Sequence, residues 1–537
     1  MDNSRAVYGI DLGTTYSCIA QVDRFDQAVV LRNFEGDSTT PSAVYFDSDD
    51  PNMVVVGREA KGMLATEPEN TVVFVKRDIG NDAAFDKANN RFPHHYDPTE
   101  ISAFILRKLV QDANALGDNP TPINDVVITC PAYFGTKEIM QTKQAGLMAG
   151  LNVLTIINEP TAAAISYGVR LDKHQTVLVY DLGGGTFDVT YITVDRGAIR
   201  VVATNGDHHL GGVDWDTALA KYMLTIFNTQ NGTDYSLDDD PILYNSLMIE
   251  AEMRKKNLTV RDSVNWNFSY KGKNLRITIT RDDFCQLTED LLDLTIEKTR
   301  EVLEIARCKG FGMPDTVLLV GGSTLMPQVK TRVDREFGCD AKFHDPAESV
   351  AKGAAIFAMN KAYTKALRDY EDGESDVKPK ALASDRTTVR NVTSKTYGNL
   401  INYRDNDNEP YRLMVRNYIF ANSPLPATCK VDGWLIMDNQ STLLIDIYEN
   451  DYTDSRTDII VDPDTCRDID HQQLPLTKNY PKGEPTQTTF SISEEGILSV
   501  SVTVGIDRID FQLHITGVKT EQELVASKSL VMSKTIE

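Results

Sequence analysis

Two short segments of the sequence combine an aspartate with glycines and threonines in a pattern that suits the binding of a phosphate chain. In each segment a strand-like apolar run ends at an aspartate, Asp11 or Asp181. Glycines let backbone amides approach an anion without a Cβ atom in the way, and threonine hydroxyls add donors. The aspartate at the strand end can hold a divalent cation through its water shell. We therefore interpret residues 10–16 and 180–188 as a diphosphate clamp.

The repetition of this pattern indicates a duplicated lobe. Either segment alone could equally be a structural turn of a parallel sheet. Two copies with the same placement of aspartate and threonine are best explained by two similar lobes with a nucleotide in the cleft between them. A third turn, Gly321-Gly322-Ser323, follows another apolar run. It is either a plain strand-to-helix turn or, together with the other two, the place where a nucleoside lies.

The elements that must position these turns alternate between strands and helices up to about residue 365, which is typical of an α/β fold. Asp97 as N-cap and Glu100 as its capping-box partner predict the start of an amphipathic helix. Short β-branched runs at 125–129, 176–180 and 316–320 predict buried strands.

The sequence after Ala366 follows a different pattern. Residues 369–380 are charged and include Gly373 and Pro379, so we expect an exposed connector there. Beyond it, apolar and polar residues alternate, and the turn at 494–496 predicts a hairpin with one buried face. We therefore predict a second, antiparallel β domain that is compact and sandwich-like.

The composition excludes several classes of protein. A chain of 537 residues with 41% hydrophobic and 25% charged residues is neither disordered, collagen-like nor a membrane protein. The net charge of -23 argues against nucleic acid or an anionic membrane surface as a partner. Seven scattered cysteines predict neither a disulfide framework nor a structural metal. Because no secretory signal or membrane span is visible, we expect a cytoplasmic protein.

These turns and three further stretches resemble a known family. The stretches are VVITCPAYF (126–134), IINEPTAAA (156–164) and DHHLGGVD (207–214). With the turns, they resemble the 70-kDa heat-shock chaperones of the DnaK family, from Tyr8 to about Ala358 and more loosely from about Val389 to Gly517. The resemblance implies an actin-like ATPase domain of two lobes and a β-sandwich that holds extended apolar peptides.

The resemblance also implies domain boundaries. They are an ATPase domain at 1–366, a linker at 367–392, a peptide-binding β domain at 393–517 and a short tail at 518–537. The tail is too short for the helical lid that the family usually carries. We therefore expect a divergent, lidless member.

Carried over residue by residue, the resemblance assigns roles in a phosphoryl-transfer site. It makes Asp11 and Asp181 outer-sphere carboxylates around a magnesium ion, with Asp188 and Glu159 completing an acidic ring. Lys76 matches the lysine that positions the attacking water; a solvated surface charge is the alternative. Such a set suits phosphoryl transfer, which needs positioning of water, metal and developing charge.

The implied site is larger than these five residues. The predicted catalytic residues are Lys76, Glu159, Asp181 and Thr186, and the predicted metal residues are Asp11, Asp181 and Asp188. The predicted nucleotide-binding residues are Gly13, Thr14, Thr15, Tyr16, Gly183, Gly184, Gly185, Gly212, Glu252, Lys255, Lys256, Thr259, Gly321, Gly322 and Ser323. Pro131 matches the family's switch proline, or is simply a strand terminator. Ile436, Leu443 and Ile445 are predicted to bind peptide, with membership of the β-domain core as the alternative for these residues.

The sequence departs from the family pattern at several of these places. Lys256 and Leu325 replace the two arginines that grip the adenine ring, so nucleotide affinity or base selectivity is expected to be weaker. Ile139 replaces the relay arginine, and Thr155 replaces the arginine that binds J-proteins. The linker has polar residues from Thr387 onward in place of leucines, so we expect weak interdomain coupling unless the domains dock through another surface.

The sequence thus predicts an ATP-hydrolysing chaperone that uses ATP and ADP with magnesium and potassium. Its expected partners are unfolded or extended polypeptides, a J-protein and a nucleotide exchange factor. The main alternative is a nucleotide-binding regulatory or exchange-factor-like relative without a driven peptide cycle. An actin-like filament protein or a sugar kinase shares the fold, but the β domain and the stretch at 156–164 argue against both.

Overall fold

A computed structural model describes residues 6–86, 92–116, 122–167, 174–195, 198–238, 240–379, 388–404, 406, 409–511, 513, 515 and 517–537. Its α-helices are α1 (Arg58–Met63), α2 (Asp82–Phe85), α3 (Pro98–Leu116), α4 (Thr136–Met148), α5 (Glu159–Ser166), α6 (Gly212–Asn231), α7 (Pro241–Val260), α8 (Arg281–Leu287), α9 (Glu289–Cys308), α10 (Pro327–Phe337), α11 (Ser349–Glu371) and α12 (Glu521–Ser533). Among the residues so described, no helix is long and apolar enough to cross a membrane.

The strands fall into an N-terminal and a C-terminal set. The first set is β1 (Val7–Asp11), β2 (Tyr16–Val22), β3 (Ala28–Leu31), β4 (Thr40–Pro41), β5 (Ala43–Phe46), β6 (Met53–Val56), β7 (Thr71–Val73), β8 (Asp125–Cys130), β9 (Asn152–Asn158), β10 (Gln175–Leu182), β11 (Phe187–Asp195), β12 (Ala198–Asp207), β13 (Ser263–Tyr270), β14 (Lys273–Thr280), β15 (Thr316–Val320) and β16 (Lys342–Phe343). The second set is β17 (Thr388–Arg390), β18 (Thr396–Tyr403), β19 (Arg412–Ile419), β20 (Ala427–Trp434), β21 (Gln440–Asn450), β22 (Ile460–Val461), β23 (Arg467–Tyr480), β24 (Pro485–Ile492), β25 (Leu498–Val504), β26 (Asp507–Phe511) and β27 (Thr535–Ile536).

Two six-stranded sheets built mainly from the N-terminal strands have the same internal order, while β5, β6 and β7 and the pair β13 and β14 belong to two smaller sheets. In the first, which we call lobe I, β1 pairs antiparallel with β2 and parallel with β8, and β9 lies beyond β8. In the second, lobe II, β10 pairs antiparallel with β11 and parallel with β15, and β16 lies beyond β15. This equivalence is the duplication that the sequence predicts. The three predicted buried strands are confirmed as β8, β10 and β15.

Two helices, α5 and α11, lie between the sheets. Val127 of lobe I and Val179 of lobe II belong to one buried cluster with alanines of both helices. The helices approach closely because α11 carries a glycine: a Cβ on Gly353 would lie 1.7 Å from the carbonyl oxygen of Ala162 on α5. Small residues in this layer therefore let the two lobes share one core and open a cleft at its edge.

The predicted helix start at Asp97 is confirmed. The Asp97 carboxylate accepts hydrogen bonds of 3.0 Å from the amides of Thr99 and Glu100, and Glu100 accepts one of 3.1 Å from the amide of Asp97. This capping box begins α3, which packs on α4 of lobe I.

The C-terminal strands form two antiparallel sheets, in the orders β22-β19-β18-β21-β23 and β20-β24-β25-β26. The hairpin predicted around residues 494–496 is confirmed as β24 and β25, whose register pairs Phe490 with Val500. Phe490, Val500 and Ile447 are buried in a core that both sheets share. The β-rich unit is therefore sandwich-like, as predicted.

The predicted linker at 367–392 divides into three parts. Its start continues helix α11, which ends at Glu371. Residues 380–387, including Thr387, lie outside the described residues. Its end forms β17, which pairs parallel with β12 through Thr388 opposite Ala198 and Arg390 opposite Arg200. The linker thus joins the sheet of lobe II through backbone hydrogen bonds, and its Val389 and Val392 also pack on the buried cluster between the lobes.

The tail at 518–537 packs on lobe I. Val531 of α12 and Ile536 of β27 are buried in the same core cluster as residues of β1 and α3. Strand β27 adds to β6, where the amide of Thr535 donates to the carbonyl of Asn52 at 2.9 Å. The β domain is therefore fastened at both ends, to lobe II by β17 and to lobe I by the tail.

Candidate functional site

The three glycine-rich turns face one cavity between the lobes. Its volume is about 550 Å³. The sequence-predicted residues that line it are Asp11, Gly13, Thr14, Thr15, Tyr16, Lys76, Glu159, Asp181, Gly183, Gly184, Thr186, Gly212, Glu252, Lys255, Lys256, Thr259, Gly321, Gly322 and Ser323. The first two turns meet because β1 and β10 hold equivalent positions in their sheets and both end at the cleft between the lobes. The predicted residues Gly185, Asp188 and Pro131 are not among the described residues that line it.

The glycines of the second turn are needed for the close approach of the first turn. A Cβ on Gly184 would lie 1.9 Å from Oγ1 of Thr15, and one on Gly185 would lie 2.2 Å from Cγ2 of Thr14. The Thr15 hydroxyl is buried and has no hydrogen-bond partner within the described part of the chain. A buried hydroxyl of this kind costs free energy unless a ligand satisfies it, and a phosphate oxygen would do so.

The third turn closes the same cradle from the side of lobe II. The hydroxyl of Ser323 donates to the carbonyl of Gly183 at 2.8 Å, and the amide of Gly212 donates to the same oxygen at 3.0 Å. Gly321 has a φ of +82°, and a Cβ there would lie 2.3 Å from the carbonyl oxygen of Leu182. The second and third turns are therefore tied together by hydrogen bonds.

Four carboxyl groups cluster at the floor of the cavity: those of Asp11, Glu159 and Asp181 line it, and that of Asp188 is buried next to Asp181. Burial, together with the charge of Glu159, raises the pKa of Asp11 to about 7 and raises the pKa of Asp181 and Asp188 well above the usual range. Lys76 is the cation that partly offsets this repulsion. Crowded carboxylates whose charge is poorly balanced favour a bound divalent cation.

Magnesium suits this acidic floor. Among the described residues, no group of three or more histidine, cysteine, aspartate or glutamate side chains is close enough to hold a metal ion directly. Magnesium often keeps several of its waters and takes few direct carboxylate ligands, so Asp11, Asp181 and Asp188 fit an ion held through water.

Lys76 is buried and forms an ion pair with Oε1 of Glu159. Although burial opposes its charge, Glu159 and Asp11 outweigh that effect and raise the pKa of Lys76. The sequence-based alternative, a solvated surface lysine, does not describe this side chain. Its ammonium group lines the cavity beside the acidic floor.

Arg77, which sequence reasoning missed, spans the cleft next to Lys76. Its Nε donates to the carbonyl of Gly185 at 2.8 Å, and Nη2 donates to Oδ2 of Asp214 at 2.6 Å. Asp214 also accepts from the amide of Gly211 at 2.7 Å. A lobe I side chain thus holds the phosphate-facing loop of lobe II. The arginine directly after Lys76 is visible in the sequence, but its partners are not.

A cluster of charges joins the two lobes at the other end of the cavity. Glu252 of lobe II accepts 2.6 Å and 2.7 Å hydrogen bonds from Lys61 of lobe I and Lys256, and Tyr16 donates to it at 3.1 Å. Burial would raise the pKa of Glu252, but Lys61 and Lys256 outweigh it and lower that pKa to about 2. Lys61 was not predicted from the sequence.

Lys255 is turned away from this cluster. Its ammonium group donates to the carbonyl of Gly212 at 2.7 Å and to Asp216 at 2.8 Å. Burial, opposed by Lys255, raises the pKa of Asp216 to about 6. Lys255 therefore supports the helix that begins at Gly212, close to the third turn.

The outer wall of this end is apolar. Val260 is 78% exposed and Leu325 is 47% exposed, and both line the cavity with Met326. Lys256 is engaged by Glu252 and by the hydroxyl of Tyr16 at 3.1 Å. A nucleobase here would meet aliphatic side chains in place of guanidinium planes.

Comparison with known protein families agrees with this geometry. A family model described as Hsp70 protein matches residues 7–379, which is more than half of the chain. This chain belongs to the Hsp70 family. The match confirms the predicted family and its actin-like lobes, and it places the chain in a family of ATP-dependent chaperones. The cavity of this Hsp70 lies wholly within the matched residues.

The predicted peptide-binding residues lie on the β domain of this Hsp70. Ile436 is 55% exposed in the loop after β20, and Leu443 is half-buried on β21. Ile445 is only 4% exposed and belongs to the core of the domain. Ile436 and Leu443 are therefore accessible to a peptide, whereas Ile445 supports the sheet beneath them.

The β domain docks on lobe I through the start of α4, five residues after Pro131. Thr136 on α4 forms several interdomain hydrogen bonds: its hydroxyl donates to the carbonyl of Gly496 at 2.9 Å and accepts from the amide of Leu498 at 3.1 Å, and its amide donates to the Tyr397 hydroxyl at 3.2 Å. Pro131, five residues earlier, is followed by Ala132, whose amide donates to Asp188 at 2.8 Å. One short segment therefore links the acidic floor to the β domain.

Both positions at which the relay arginine and the J-protein arginine are replaced lie in this interface. A Cβ on Gly496 would lie 3.0 Å from Cδ1 of Ile139, and Thr155 donates to Glu495 at 2.8 Å. The uncharged side chains of Ile139 and Thr155 thus still contact the β domain at these two positions. The weak coupling expected from the polar linker was conditional on the absence of another docking surface, and the contacts of Thr136 and Thr155 with the β domain form such a surface.

Proposed function

We propose that this Hsp70 hydrolyses ATP in the cleft between its lobes and binds extended apolar polypeptide segments on its β domain. The observation that supports it best is the Thr15 hydroxyl, which lies in a cradle of three turns beside Lys76 and the acidic floor and has no hydrogen-bond partner among the described residues. The cofactors proposed are ATP or ADP, magnesium and potassium. Clients would be unfolded polypeptides, with a J-protein and an exchange factor as co-chaperones.

Each group has a definite task in this proposal. The amides and hydroxyls around Gly13, Thr14 and Thr15 bind the phosphate chain, and Thr186 approaches the terminal phosphate from lobe II. Asp11, Asp181 and Asp188 would hold magnesium through water, and the ion would neutralise charge that develops on the phosphates. Lys76 orients the attacking water and Glu159 orients Lys76.

The cleft must close for these groups to act together. Arg77 reaches Gly185 from lobe I, and Lys61 reaches Glu252 at the other end of the cavity. These two contacts keep the lobes at one separation and limit access of bulk water to the phosphates. Positioning and electrostatic stabilisation supply most of the rate acceleration in reactions of this class.

A second candidate is a regulatory relative that binds nucleotide without driving a peptide cycle. The observation that favours it is the docked β domain, which is fastened at Thr136, at β17 and through the tail. A β domain that stays docked in every nucleotide state would hold its groove in one conformation.

Peptide-stimulated ATP turnover separates the two. The purified full chain is assayed with magnesium and potassium, with and without a leucine-rich peptide, while peptide affinity is measured in ATP and in ADP. The proposed chaperone predicts turnover that rises with peptide and a peptide affinity that differs between ATP and ADP. ATP turnover that does not change with peptide, together with a peptide affinity that is the same in ATP and in ADP, would support the regulatory relative. Absence of ATP turnover would contradict the proposed hydrolysis.

A further inference from the structure

Three charged side chains meet where the β domain packs on lobe I. Arg467 on β23 donates from Nη1 to Oε1 of Glu138 on α4 at 2.8 Å and to Oε1 of Glu449 on β21 at 3.1 Å. Its Nη2 donates to the carbonyl of Gly80 in lobe I. One guanidinium from the β domain therefore serves a carboxyl group on each side of the interface.

The two carboxyl groups are not equally satisfied. Oε2 of Glu138 accepts a hydrogen bond of 3.1 Å from the amide of Gly135. Oε2 of Glu449 is buried and has no hydrogen-bond partner in the portion of the chain that the structure describes, and Glu449 is only 3% exposed. A bare, buried carboxylate oxygen is costly, whereas a protonated carboxyl group carries no charge to desolvate.

The remaining charged groups around Glu449 leave this imbalance in place. Lys395 and Asp451 face it from the strand ends of the β domain, but Lys395 is itself held by Asp451 at 2.5 Å. Outside the β domain, Glu138 acts directly on Glu449, Asp82 acts on Arg467, and His208 acts on Glu138. With both glutamates ionised, two buried negative charges would share the guanidinium of Arg467, while Lys395 acts on Glu449 only from its ion pair with Asp451.

The titration of the two glutamates agrees with the geometry. Burial and the neighbouring Glu138 raise the pKa of Glu449 to about 7, against the opposing effects of Arg467 and Lys395. Burial also acts on Glu138, but Arg467 outweighs it and lowers the pKa of that group. The pair is therefore best described as holding one proton between two carboxyl groups.

We propose that Glu138, Arg467 and Glu449 form a proton switch that controls docking of the β domain on lobe I. The docked state holds a proton on Glu449, which leaves Arg467 paired with Glu138 across the interface. When the β domain undocks, Glu449 regains water and releases that proton. The proton passes to solvent, and no bond other than the O–H bond is broken.

The sign of the effect follows from the direction of this shift. The pKa of Glu449 is raised in the docked state above its ordinary value of 4.5. Its contribution to docking is therefore complete below pH 4.5 and is lost as the pH rises to about 7. Acidification fastens the β domain, and alkalinisation loosens it.

Hydrogen exchange across the interface measures this directly. The reporters are the amide of Leu498, which donates to the Thr136 hydroxyl, and the amide of Thr136, which donates to Tyr397. The full chain is followed from about pH 5 to pH 8 at one fixed nucleotide state, with rates corrected for intrinsic exchange. One linked proton predicts that protection falls up to about tenfold per pH unit below pH 7.

Two variants isolate the proposed proton. In Glu449→Gln the uncharged amide imitates the protonated carboxyl group, so protection should stay high and nearly independent of pH. In Glu138→Gln the like charge is removed, so Glu449 can ionise beside Arg467 and the fall in protection should be much smaller. The second variant keeps the test decisive if the first folds poorly.

A matched control changes a glutamate in the same interface. Glu495 accepts from Thr155 and is partly exposed, so Glu495→Gln should change the level of protection and leave its pH dependence as in the parent. The proposal is overturned if parent protection does not change with pH, or if Glu449→Gln and Glu138→Gln both keep the parental slope.

Discussion

The Thr155 hydroxyl on β9 donates a hydrogen bond of 2.8 Å to Oε1 of Glu495, which lies in the turn between β24 and β25. The contact joins lobe I to the β domain, and Lys143 lies 3.4 Å from the other carboxylate oxygen of Glu495. Thr155 occupies the position of the family's J-protein arginine. In this chain a neutral hydroxyl therefore contacts the β domain at a position where the family usually has a cationic side chain.

Loss of this hydroxyl should weaken docking modestly. Thr155→Val keeps the shape of the side chain but removes the donor, which is worth about 1 kcal/mol for a hydrogen bond to a charged group in a partly exposed interface. We expect exchange at Leu498 to become about fivefold faster, since that is the corresponding change in the docking constant. Thr155→Ser keeps the hydroxyl and is the control. Equal exchange in both variants would contradict a role for this bond.

The base end of the cleft should gain affinity from restored arginines. Lys256 is engaged by Glu252 and Tyr16, and Leu325 offers only aliphatic contact. The double variant Lys256→Arg, Leu325→Arg should bind ATP about 1 kcal/mol more tightly, if the guanidinium planes stack on the ring. Calorimetry of ATP binding tests this, with Lys221→Arg on the exposed face of α6 as control. Equal affinity would show that the aliphatic wall already covers the base.

Local sequence signals predicted the elements and the turns well. Asp97 and Glu100 fixed the start of α3, and alternation around residues 494–496 located the hairpin of β24 and β25, because both patterns depend on neighbours within a few residues. The two aspartate turns predicted the repeated lobe, because each carries its own glycines and threonines.

Contacts between distant segments could not be predicted in the same way. Lys61 and Glu252 are 191 residues apart, and Arg107 donates to the carbonyl of Val531 across 424 residues. No local pattern marks either partner. Alternation along β21 also could not separate the buried Ile445 from the accessible Leu443, since both point to the same face of one strand.

Peptide binding should depend on the accessible member of that strand. Leu443→Asp places a charge where an apolar client residue would pack, so the dissociation constant for a leucine-rich peptide should rise at least about tenfold, or about 1.4 kcal/mol. Leu444 is exposed on the opposite side of the strand, so Leu444→Asp is the matched control. Fluorescence anisotropy measures both, and thermal unfolding confirms that the β domain is intact. Equal affinity in the two variants would place the groove elsewhere.

The tail should stabilise lobe I. Val531 is fully buried in the lobe I core, whereas the adjacent Met532 is about half exposed. Val531→Ala should therefore lower the free energy of unfolding by about 2 kcal/mol, and Met532→Ala should have little effect. Calorimetry of the full chain would show the first transition of the ATPase domain shifted down in Val531→Ala only. A shift confined to the transition of the β domain would contradict the prediction that the tail stabilises lobe I.

Single-turnover hydrolysis in Lys76→Ala tests the central claim most directly. We expect ATP still to bind, because the phosphate cradle is formed by Thr15 and the glycine turns. The hydrolysis rate should fall at least about 10²-fold, the scale expected for loss of one preorganised electrostatic group. Lys221→Ala, an exposed lysine on α6, should hydrolyse ATP like the parent. An unchanged rate in Lys76→Ala with ATP fully bound would contradict the assignment of this cleft as a hydrolytic site organised by Lys76.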